Sequence, residues 1–353
     1  MRAGLEAAVY RTWAGASAPE RVLRAALAPA AAAYGVVTAL RNRLYDAGWL
    51  AVVRVPAQVL SVGNIVVGGT GKTPAALWLA ERLAARGRRV GIVARGYRKQ
   101  RRGVVVVGED GRPLVTAEEG GDEAVLLARR FAGPVVTGER RAAAAAAACA
   151  RFALDTVVLD DGFQHRALAR DADLVLADAA VPARLLPAGP LREAPAALAR
   201  ARAILAVDAM PPAVAGVPAF RARLVPTALV RAADGKWTEE SLGLLRGRDV
   251  VAVCGVARPE RFVATLAGAG AVVRRLLGFP DHHAYRAADA DTIRAAAGDA
   301  LLVTTEKDLV KLERFPALAG LAALRVALEV ENGEALVTLL AGPPGAQVDL
   351  RAN

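Results

Sequence analysis

The chain has 353 residues, enough for two domains with cores of their own, and alanine, leucine and valine dominate its apolar 54%. Its two cysteines, Cys149 and Cys254, lie in apolar segments without CxxC spacing, which argues against a disulfide scaffold and favours core thiols. The net charge of +11 is compatible with nucleic acid, anionic lipid or a phosphorylated substrate, and it selects none of these partners.

The first 60 residues lack the charged start, apolar core and cleavage site of a secretory signal. Their most apolar run, residues 25–40, contains Pro29 and Gly35 and is shorter than the roughly 20 residues of a spanning helix. Seven arginines against three acidic residues suit helices that lie in a membrane interface beside anionic headgroups. The alternative is a helix packed on the core, and both descriptions can hold together.

Residues 63–74 read GNIVVGGTGKTP, between an apolar run at 59–62 and an amphipathic segment at 75–86. Strand, glycine loop and helix form the setting of a phosphate-binding loop, where backbone N–H groups converge on phosphate oxygens. Val66 stands where the common GxxxxGK pattern has its first glycine, so a structural turn is the alternative. The predicted nucleotide-binding residues are Val66, Val67, Gly68, Gly69, Thr70, Gly71, Lys72 and Thr73. Lys72 would reach the outer phosphates and Thr73 would ligate magnesium.

The next predicted strand, at 89–94, runs into residues 95–102, where five of eight residues are basic. Such a run is either a solvated loop or an anion-binding edge, since ligands of parallel sheets bind outside the carboxyl ends of the strands. Further on, Asp122 and Glu123 open a predicted helix. They either complement the helix dipole or provide a magnesium ligand beside a general base.

A predicted apolar strand at 156–159 ends in Asp160 and Asp161. This is the Walker-B pattern, in which a carboxylate at a strand tip lies near the magnesium ion of the phosphate loop. Residues 219–230 read as an extended connector to a second α/β unit. Its loop at 278–285 holds two of the three histidines of the chain, and the Asp-His-His sequence there is a candidate for proton chemistry rather than for zinc. Residues 305–308, Thr-Glu-Lys-Asp, are either a helix cap or a wall of the site.

Together these motifs resemble the tetraacyldisaccharide 4'-kinase family of lipid A biosynthesis. The segments that carry the resemblance, in chain order, are 63–74, Arg95-Gly96-Tyr97, Gly121-Asp122-Glu123, 160–165, 187–193, 255–259, 279–282 and 305–308. The resemblance implies transfer of the γ-phosphate of ATP, with Mg²⁺, to the 4'-hydroxyl of a tetraacyldisaccharide 1-phosphate. The product would be the bisphosphorylated lipid A precursor, made on the cytoplasmic face of the bacterial inner membrane.

The implied fold is α/β: a P-loop NTPase-like, mostly parallel sheet flanked by helices, with a second, smaller α/β domain joined by extended connectors. We expect membrane-associating helices over 1–60, packed on a P-loop kinase core over 61–212. The second domain with its connector strands would cover 213–332, and a C-terminal helix and tail would cover 333–353. No obligate protein partner is expected.

Residue by residue, the resemblance implies a catalytic aspartate at Asp122, paired with His282 and assisted by Lys72. The implied magnesium-associated residues are Thr73, Glu123, Asp160 and Asp161. Our candidates for substrate contacts are Arg95, Arg98, Gln164 and Arg192. Because Asp122 and His282 lie in different predicted domains, we expect domain closure to assemble the pair.

The alternative is a membrane-surface switch ATPase of the partitioning type, which shares the Gly-Gly-x-Gly-Lys-Thr loop. Those ATPases carry a lysine immediately before the two glycines, where this chain has Val67. A nucleic-acid role is disfavoured, because few aromatic residues accompany the basic runs.

Overall fold

The computed structural model describes residues 9, 12, 13, 15, 17–177, 179, 184–233 and 235–343. The predicted C-terminal tail beyond residue 343 and part of the first predicted N-terminal segment lie outside these residues. The described helices are α1 (Ala18–Asp46), α2 (Lys72–Ala85), α3 (Ala117–Gly120), α4 (Asp122–Arg130), α5 (Arg141–Phe152), α6 (Pro259–Gly268), α7 (Ala287–Ala297), α8 (Glu306–Leu312) and α9 (Gly333–Ala341). Three short 3₁₀ helices span Pro195–Arg200, Leu242–Leu245 and Pro316–Leu318.

Within the described residues, fourteen strands form one continuous sheet in the order β12-β11-β13-β14-β9-β8-β7-β1-β6-β2-β5-β3-β4, with β10 paired to β9. The first strands are β1 (Gln58–Asn64), β2 (Val90–Ala94), β3 (Val105–Glu109), β4 (Arg112–Pro113), β5 (Val135–Thr137), β6 (Thr156–Asp160), β7 (Ala172–Leu176) and β8 (Ala203–Val207). The others are β9 (Ala219–Ala233), β10 (Lys236–Glu240), β11 (Asp249–Cys254), β12 (Val272–Gly278), β13 (Leu301–Thr305) and β14 (Ala322–Val330).

Two groups of parallel strands meet end to end in this sheet. The first group contains β1, β2, β5, β6, β7 and β8, and the second group contains β11, β12, β13 and β14. The 15-residue strand β9 pairs in parallel with β8 as far as Ala222, and from Ala222 to Arg231 it pairs antiparallel with β14. β9 therefore carries the sheet beyond the carboxyl end of the first group, and β14 returns with β11, β12 and β13 parallel to it. As a result, the carboxyl ends of the two groups face each other.

Helices cover both faces of the first group, as the buried strands of a parallel sheet require. On one face, Leu79 and Leu83 of α2 pack with Leu127 of α4 and Leu336 of α9. On the other face, the alanine-rich helix α5 packs through small side chains such as Ala144. In the second group, α7 and α8 share one core cluster and α6 contributes to another. The predicted mostly parallel α/β sheet flanked by helices is confirmed.

Helix α1 is longer than the apolar run suggested by the sequence. It continues through Pro29 and Gly35 for 29 residues, so its length and composition alone would allow it to cross a membrane. Only 6% of its most apolar 18-residue window is buried against the chain. Val22, Val36, Val37 and Leu40 are each more than half exposed. The helix thus presents an apolar face that the described residues do not cover.

Candidate active site

A cavity of about 1220 Å³ lies where the carboxyl ends of the two strand groups face each other. Its lining comes from both groups: residues 67–74 after β1, 95–98 after β2 and 160–161 at the end of β6, against 256–258, 261–262, 281–282 and 305–307. Four of the seven described non-glycine residues with positive φ line it, namely Arg98, Asp161, Asp208 and His282. Strained backbone of this kind concentrates at functional sites.

The glycine loop connects β1 to the amino end of α2, as predicted. Gly71 is the residue before the helix and has φ 86°, a conformation that favours glycine, and Lys72 opens the first turn. The Lys72 ammonium lies 3.4 Å from the Gly68 carbonyl oxygen and 3.7 Å from a carboxylate oxygen of Asp161. Residues from Val67 to Thr73 line the cavity, whereas Val66 pairs with Leu191 and packs into a core cluster.

Asp160 lies at the tip of β6, directly beside the glycine loop. The Thr73 hydroxyl donates to its Oδ2 at 3.3 Å, while its buried Oδ1 has no hydrogen-bond partner among the described residues. Burial, followed by the charges of Glu123 and Asp161, raises the pKa of Asp160 to about 7. A buried carboxylate with an unsatisfied oxygen and acidic neighbours fits a cation.

These oxygen donors match the requirements of Mg²⁺. In the described part of the chain no three His, Cys, Asp or Glu side chains converge closely enough to hold an ion by themselves. Mg²⁺ is usually held by one or two carboxylates, with water and substrate phosphates completing its shell. Thr73 and Asp160, with Glu123 nearby, therefore fit a magnesium ion that arrives with a nucleotide.

Asp161 has a different environment from Asp160. Arg192 donates to both of its carboxylate oxygens at 2.9 Å, and Lys72 lies on the same side. Burial opposes the charge of Asp161, but Lys72 and Arg192 outweigh burial and lower the pKa of Asp161. Asp161 is therefore neutralised by protein cations, whereas Asp160 is not.

Asp122 and His282 are brought together from the two strand groups. Asp122 opens α4, and His282 lies in the loop after β12; the distance from His282 Nδ1 to Asp122 Oδ2 is 3.0 Å. Gly121 precedes the aspartate with φ 94°, and a Cβ there would be 3.2 Å from the backbone of Gly96. Glycine is therefore required for this close approach of the two segments.

The environment of Asp122 keeps it ionised. Asp122 is only 8% exposed, and burial alone would favour its protonated form. The hydrogen bond with His282 and the charges of Lys307 and Lys311 outweigh burial and hold the pKa of Asp122 well below its usual value. The Tyr97 ring packs edge-on against His282, with centroids 5.0 Å apart. The site thus holds a buried carboxylate in its basic form beside an imidazole.

The comparisons with known proteins agree with this geometry. The model of the Tetraacyldisaccharide-1-P 4'-kinase family matches residues 23–342. The chain belongs to this family. A tetraacyldisaccharide 4'-kinase of Anaeromyxobacter sp. (strain Fw109-5) is 45% identical over 352 residues, covering 92% of this chain and 93% of the relative. The enzyme of the same name from Anaeromyxobacter dehalogenans (strain 2CP-C) is 44% identical over 328 residues, covering 87% of this chain and 85% of the relative.

A solved structure extends the similarity to the fold. A crystal structure of LpxK from Aquifex aeolicus in complex with ATP superimposes with a TM-score of 0.78 at 33% identity, covering 90% of this chain and 98% of that one. The family resemblance drawn from the motifs is confirmed, and the switch-ATPase alternative is set aside.

The four predicted substrate residues of this kinase-family chain lie in two places. Arg192 is held by Asp161, and the Gln164 side chain donates to the Asn64 carbonyl oxygen at 2.8 Å. Arg95 and Arg98 follow β2 on the exposed rim, where Arg98 donates to the His282 carbonyl oxygen at 3.1 Å. All four line the cavity.

Helix α1 is anchored beside the first of these places. The Tyr34 hydroxyl donates to the Arg192 carbonyl oxygen at 2.9 Å, and Arg41 donates to that of Gln164 at 2.7 Å. Asn42 donates to Glu193 at 2.6 Å. Helix α1, whose apolar face is uncovered, is therefore hydrogen-bonded directly to the backbone carbonyls of Arg192 and Gln164, two of the predicted substrate residues.

Arg141 did not emerge from the sequence as functional, and Lys307 emerged only as part of the 305–308 segment. Arg141, at the start of α5, is only 7% exposed and lines the cavity; burial and the charge of Arg95 lower the pKa of Arg141. Lys307 lies on the opposite wall, where burial opposes its charge but Glu123, Asp122 and Asp281 raise its pKa above the usual value. The available signal for Lys307 was its position directly after a parallel strand.

The Thr-Glu-Lys-Asp segment turns out to be both a cap and a wall. Thr305 caps α8, since its hydroxyl accepts from the Asp308 backbone N–H at 3.1 Å. Asp308, fully buried, accepts from the Gly255 N–H at 2.9 Å and from the Tyr285 hydroxyl at 3.1 Å. Glu306 accepts from Arg130 of α4 at 2.6 Å. The same four residues therefore hold the second strand group together and join it to α4.

Proposed function

We propose that this chain is an ATP-dependent lipid kinase that transfers the γ-phosphate of ATP to the 4'-hydroxyl of a tetraacyldisaccharide 1-phosphate. The observation that carries the proposal is the Asp122–His282 pair, which shares one cavity with a Gly-Lys-Thr loop in a chain of this kinase family. The loop accounts for a nucleotide donor, and the ionised carboxylate accounts for a hydroxyl acceptor.

A sugar hydroxyl is a poor nucleophile, so a base that accepts its proton during attack lowers the barrier. Asp122 takes this role, supported by its burial and by the cations that keep it ionised. Lys72 offsets negative charge on the transferred phosphoryl group. Thr73, Asp160 and Glu123 would hold Mg²⁺, which when bound neutralises charge on the phosphates. Asp160 is the better ligand of the two neighbouring aspartates, because Asp161 already pairs with Arg192.

The acceptor side is proposed to be formed by Arg95, Arg98, Gln164 and Arg192. Three guanidinium groups suit the 1-phosphate and the polar sugar oxygens, since arginine binds phosphate through paired N–H groups. The acyl chains would then leave the cavity toward α1, whose polar contacts with Arg192 and Gln164 lie on the same side.

Incubation with γ-labelled ATP, Mg²⁺ and the disaccharide 1-phosphate in detergent is expected to give a labelled bisphosphorylated lipid, measured by product chromatography. A parallel reaction with the Asp122→Asn variant measures label that is transferred without the proposed base. ATP hydrolysis by well-folded protein with no labelled lipid would contradict the kinase and would favour a switch ATPase.

We further propose that α1 attaches the enzyme to the cytoplasmic face of the inner membrane, where ATP is available. The uncovered apolar residues Val22, Val36, Val37 and Leu40 support insertion into the interface. Arginines flank this segment, and anionic headgroups attract such charges.

The double substitution Val36→Asp with Val37→Asp is expected to weaken binding to vesicles of phosphatidylethanolamine and phosphatidylglycerol by at least about tenfold, because each lost valine forfeits about 1.5 kcal/mol or more of burial. Sedimentation with the vesicles measures it. The matched control is Val104→Asp with Leu114→Asp, two exposed positions away from α1 (42% and 52% exposed). Equal loss of binding in both double variants would show that added charge alone, and not the α1 face, causes the effect.

A further inference from the structure

The loop that follows α1, residues 47–54, is apolar and exposed. Trp49 is 80% exposed, more than any other large apolar side chain of the described residues. Val52 and Val53, 45% and 46% exposed, extend the apolar surface beside it. The other tryptophans of the chain are buried or half-buried. An apolar patch built around an exposed tryptophan marks a surface that contacts something outside the chain.

Backbone hydrogen bonds hold both ends of this loop in place. At its start the Trp49 N–H donates to the Leu44 carbonyl oxygen at 2.9 Å. At its end the Val53 N–H donates to the Ala167 carbonyl oxygen at 2.9 Å, and the Ala169 N–H donates to the Val53 carbonyl oxygen at 2.9 Å. The exposure of the apolar side chains is therefore a property of a loop that is fixed to the rest of the fold.

The loop continues the uncovered face of α1. Leu40 and Ala47 are both exposed and lie about two helical turns apart, so they are on the same side of the helix. The stripe that faces the rest of the chain is on the other side, where Ala31 is buried and Tyr34 and Arg41 donate to backbone carbonyls. The apolar face of α1 therefore runs directly into the 47–54 loop.

The charges beside the loop favour anionic lipid as its partner. Arg43 precedes the loop and Arg54 ends it; both are exposed, and neither makes an ion pair among the residues that the structure describes. Asp46, the only acidic residue between them, already pairs with Arg166 at 2.7 Å. Tryptophan and valine between unpaired arginines form the composition of a segment at the level of lipid headgroups.

We propose that residues 47–54 form a second membrane contact, in which Trp49 enters the headgroup region of an anionic bilayer. The proposal rests on the proposed attachment of the enzyme through α1. A single helix in the interface is free to roll about its long axis, and a second contact beside the helix prevents this rotation. The loop is bonded through Val53 to Ala167, three residues after Gln164 of the cavity. The contact thus holds the acceptor side of the cavity at the membrane surface.

An environment-sensitive fluorophore on Val52→Cys reports the contact directly, because the two native cysteines are buried and Trp49 is kept. With vesicles of phosphatidylethanolamine and phosphatidylglycerol, we expect its emission to move to shorter wavelength. Lipids brominated near the headgroup should quench it. The control is the same fluorophore on Leu114→Cys, a position of similar exposure, where we expect neither change.

The outcomes separate this proposal from the proposed role of α1. Protein that sediments with the vesicles, while the fluorophore at position 52 behaves like the one at position 114, would overturn the loop contact and leave the α1 attachment intact. Protein that does not sediment would overturn both. A spectral change at position 52 that follows protein concentration without vesicles would indicate contact between copies of the chain, and it would also overturn the proposal.

Trp49→Ser tests the tryptophan itself. We expect its binding to the same vesicles to fall by about tenfold or more, because burial of one large apolar side chain accounts for at least this factor. Its unfolding temperature should not change, since the side chain is almost wholly exposed. Leu114→Ser is the matched control and should bind within about twofold of the unsubstituted protein. Binding of Trp49→Ser in that same range would contradict the role of Trp49.

Discussion

Replacing Asp122 with asparagine is expected to lower kcat by about 10²–10⁴-fold, the usual contribution of a general base, with KM for ATP nearly unchanged. The amide has the shape of the carboxylate but cannot take the proton of the acceptor hydroxyl. The measurement is steady-state formation of labelled lipid. Turnover within about a factor of two of the unsubstituted enzyme would show that Asp122 is not the base.

The matched control for this substitution is Asp289→Asn. Asp289 accepts from the His283 ring at 3.0 Å, the same type of contact that joins Asp122 to His282, but this second pair does not line the cavity. We expect kcat of Asp289→Asn to remain within about twofold. A similar loss in both variants would indicate a general effect of aspartate–histidine pairs on folding rather than catalysis at Asp122.

Asp122 also stabilises the folded chain in a pH-dependent way. Because its folded-state pKa is lower than its usual value, the carboxylate contributes stability above the ordinary aspartate pKa, and this contribution is lost as the pH falls through the lowered folded-state pKa. Asp122→Asn should therefore unfold at a lower temperature than the unsubstituted protein near pH 7. The kinetic comparison belongs at a temperature where both remain folded.

Replacing Lys72 with methionine is the second large expected effect. Removing one donor that stabilises developing charge typically costs about 10²–10³-fold, and we expect kcat/KM for ATP to fall by this factor. The side chain is 13% exposed and lies between the Gly68 carbonyl oxygen and Asp161, so methionine fills its place without the charge. Lipid product formed at limiting ATP measures the loss.

Lys236→Met serves as the control, because it removes the same charge from an exposed position on β10. A kcat/KM for Lys72→Met within about threefold of the unsubstituted value would contradict the phosphate role of the lysine. A loss confined to Lys72→Met, with an unchanged unfolding temperature, would support it.

The sequence was most informative where chemistry depends on a short segment. Gly-Lys-Thr after an apolar run predicted the loop before α2, because the turn, the glycine conformation and the helix start are all local. Asp160 and Asp161 at the end of an apolar run predicted the strand tip of β6 for the same reason. The order of such motifs was specific enough to identify the family.

Sequence reasoning was weaker for residues whose partners are remote. Arg141 lines the cavity from the start of α5, and its neighbours in sequence gave no indication of this position; Lys307 was indicated only as part of the 305–308 segment. Residues 25–40 indicated a short apolar segment, but α1 runs for 29 residues, since helical hydrogen bonds continue past an isolated proline. The domain boundaries at 60, 212 and 332 stay predictions; β9 and β14 join the parts in one sheet.

The sequence by itself determined the fold class, the position of the glycine loop between β1 and α2, and the kinase family, because each depends on short local segments. Only the tertiary structure decided that Asp122 and His282, which are 160 residues apart, meet at 3.0 Å. The physical reason is the register of β9, which pairs with β8 through its first residues and with β14 through the rest. That register turns the carboxyl ends of both strand groups toward one cavity. The pairing of strands that are distant in sequence cannot be inferred from any single segment.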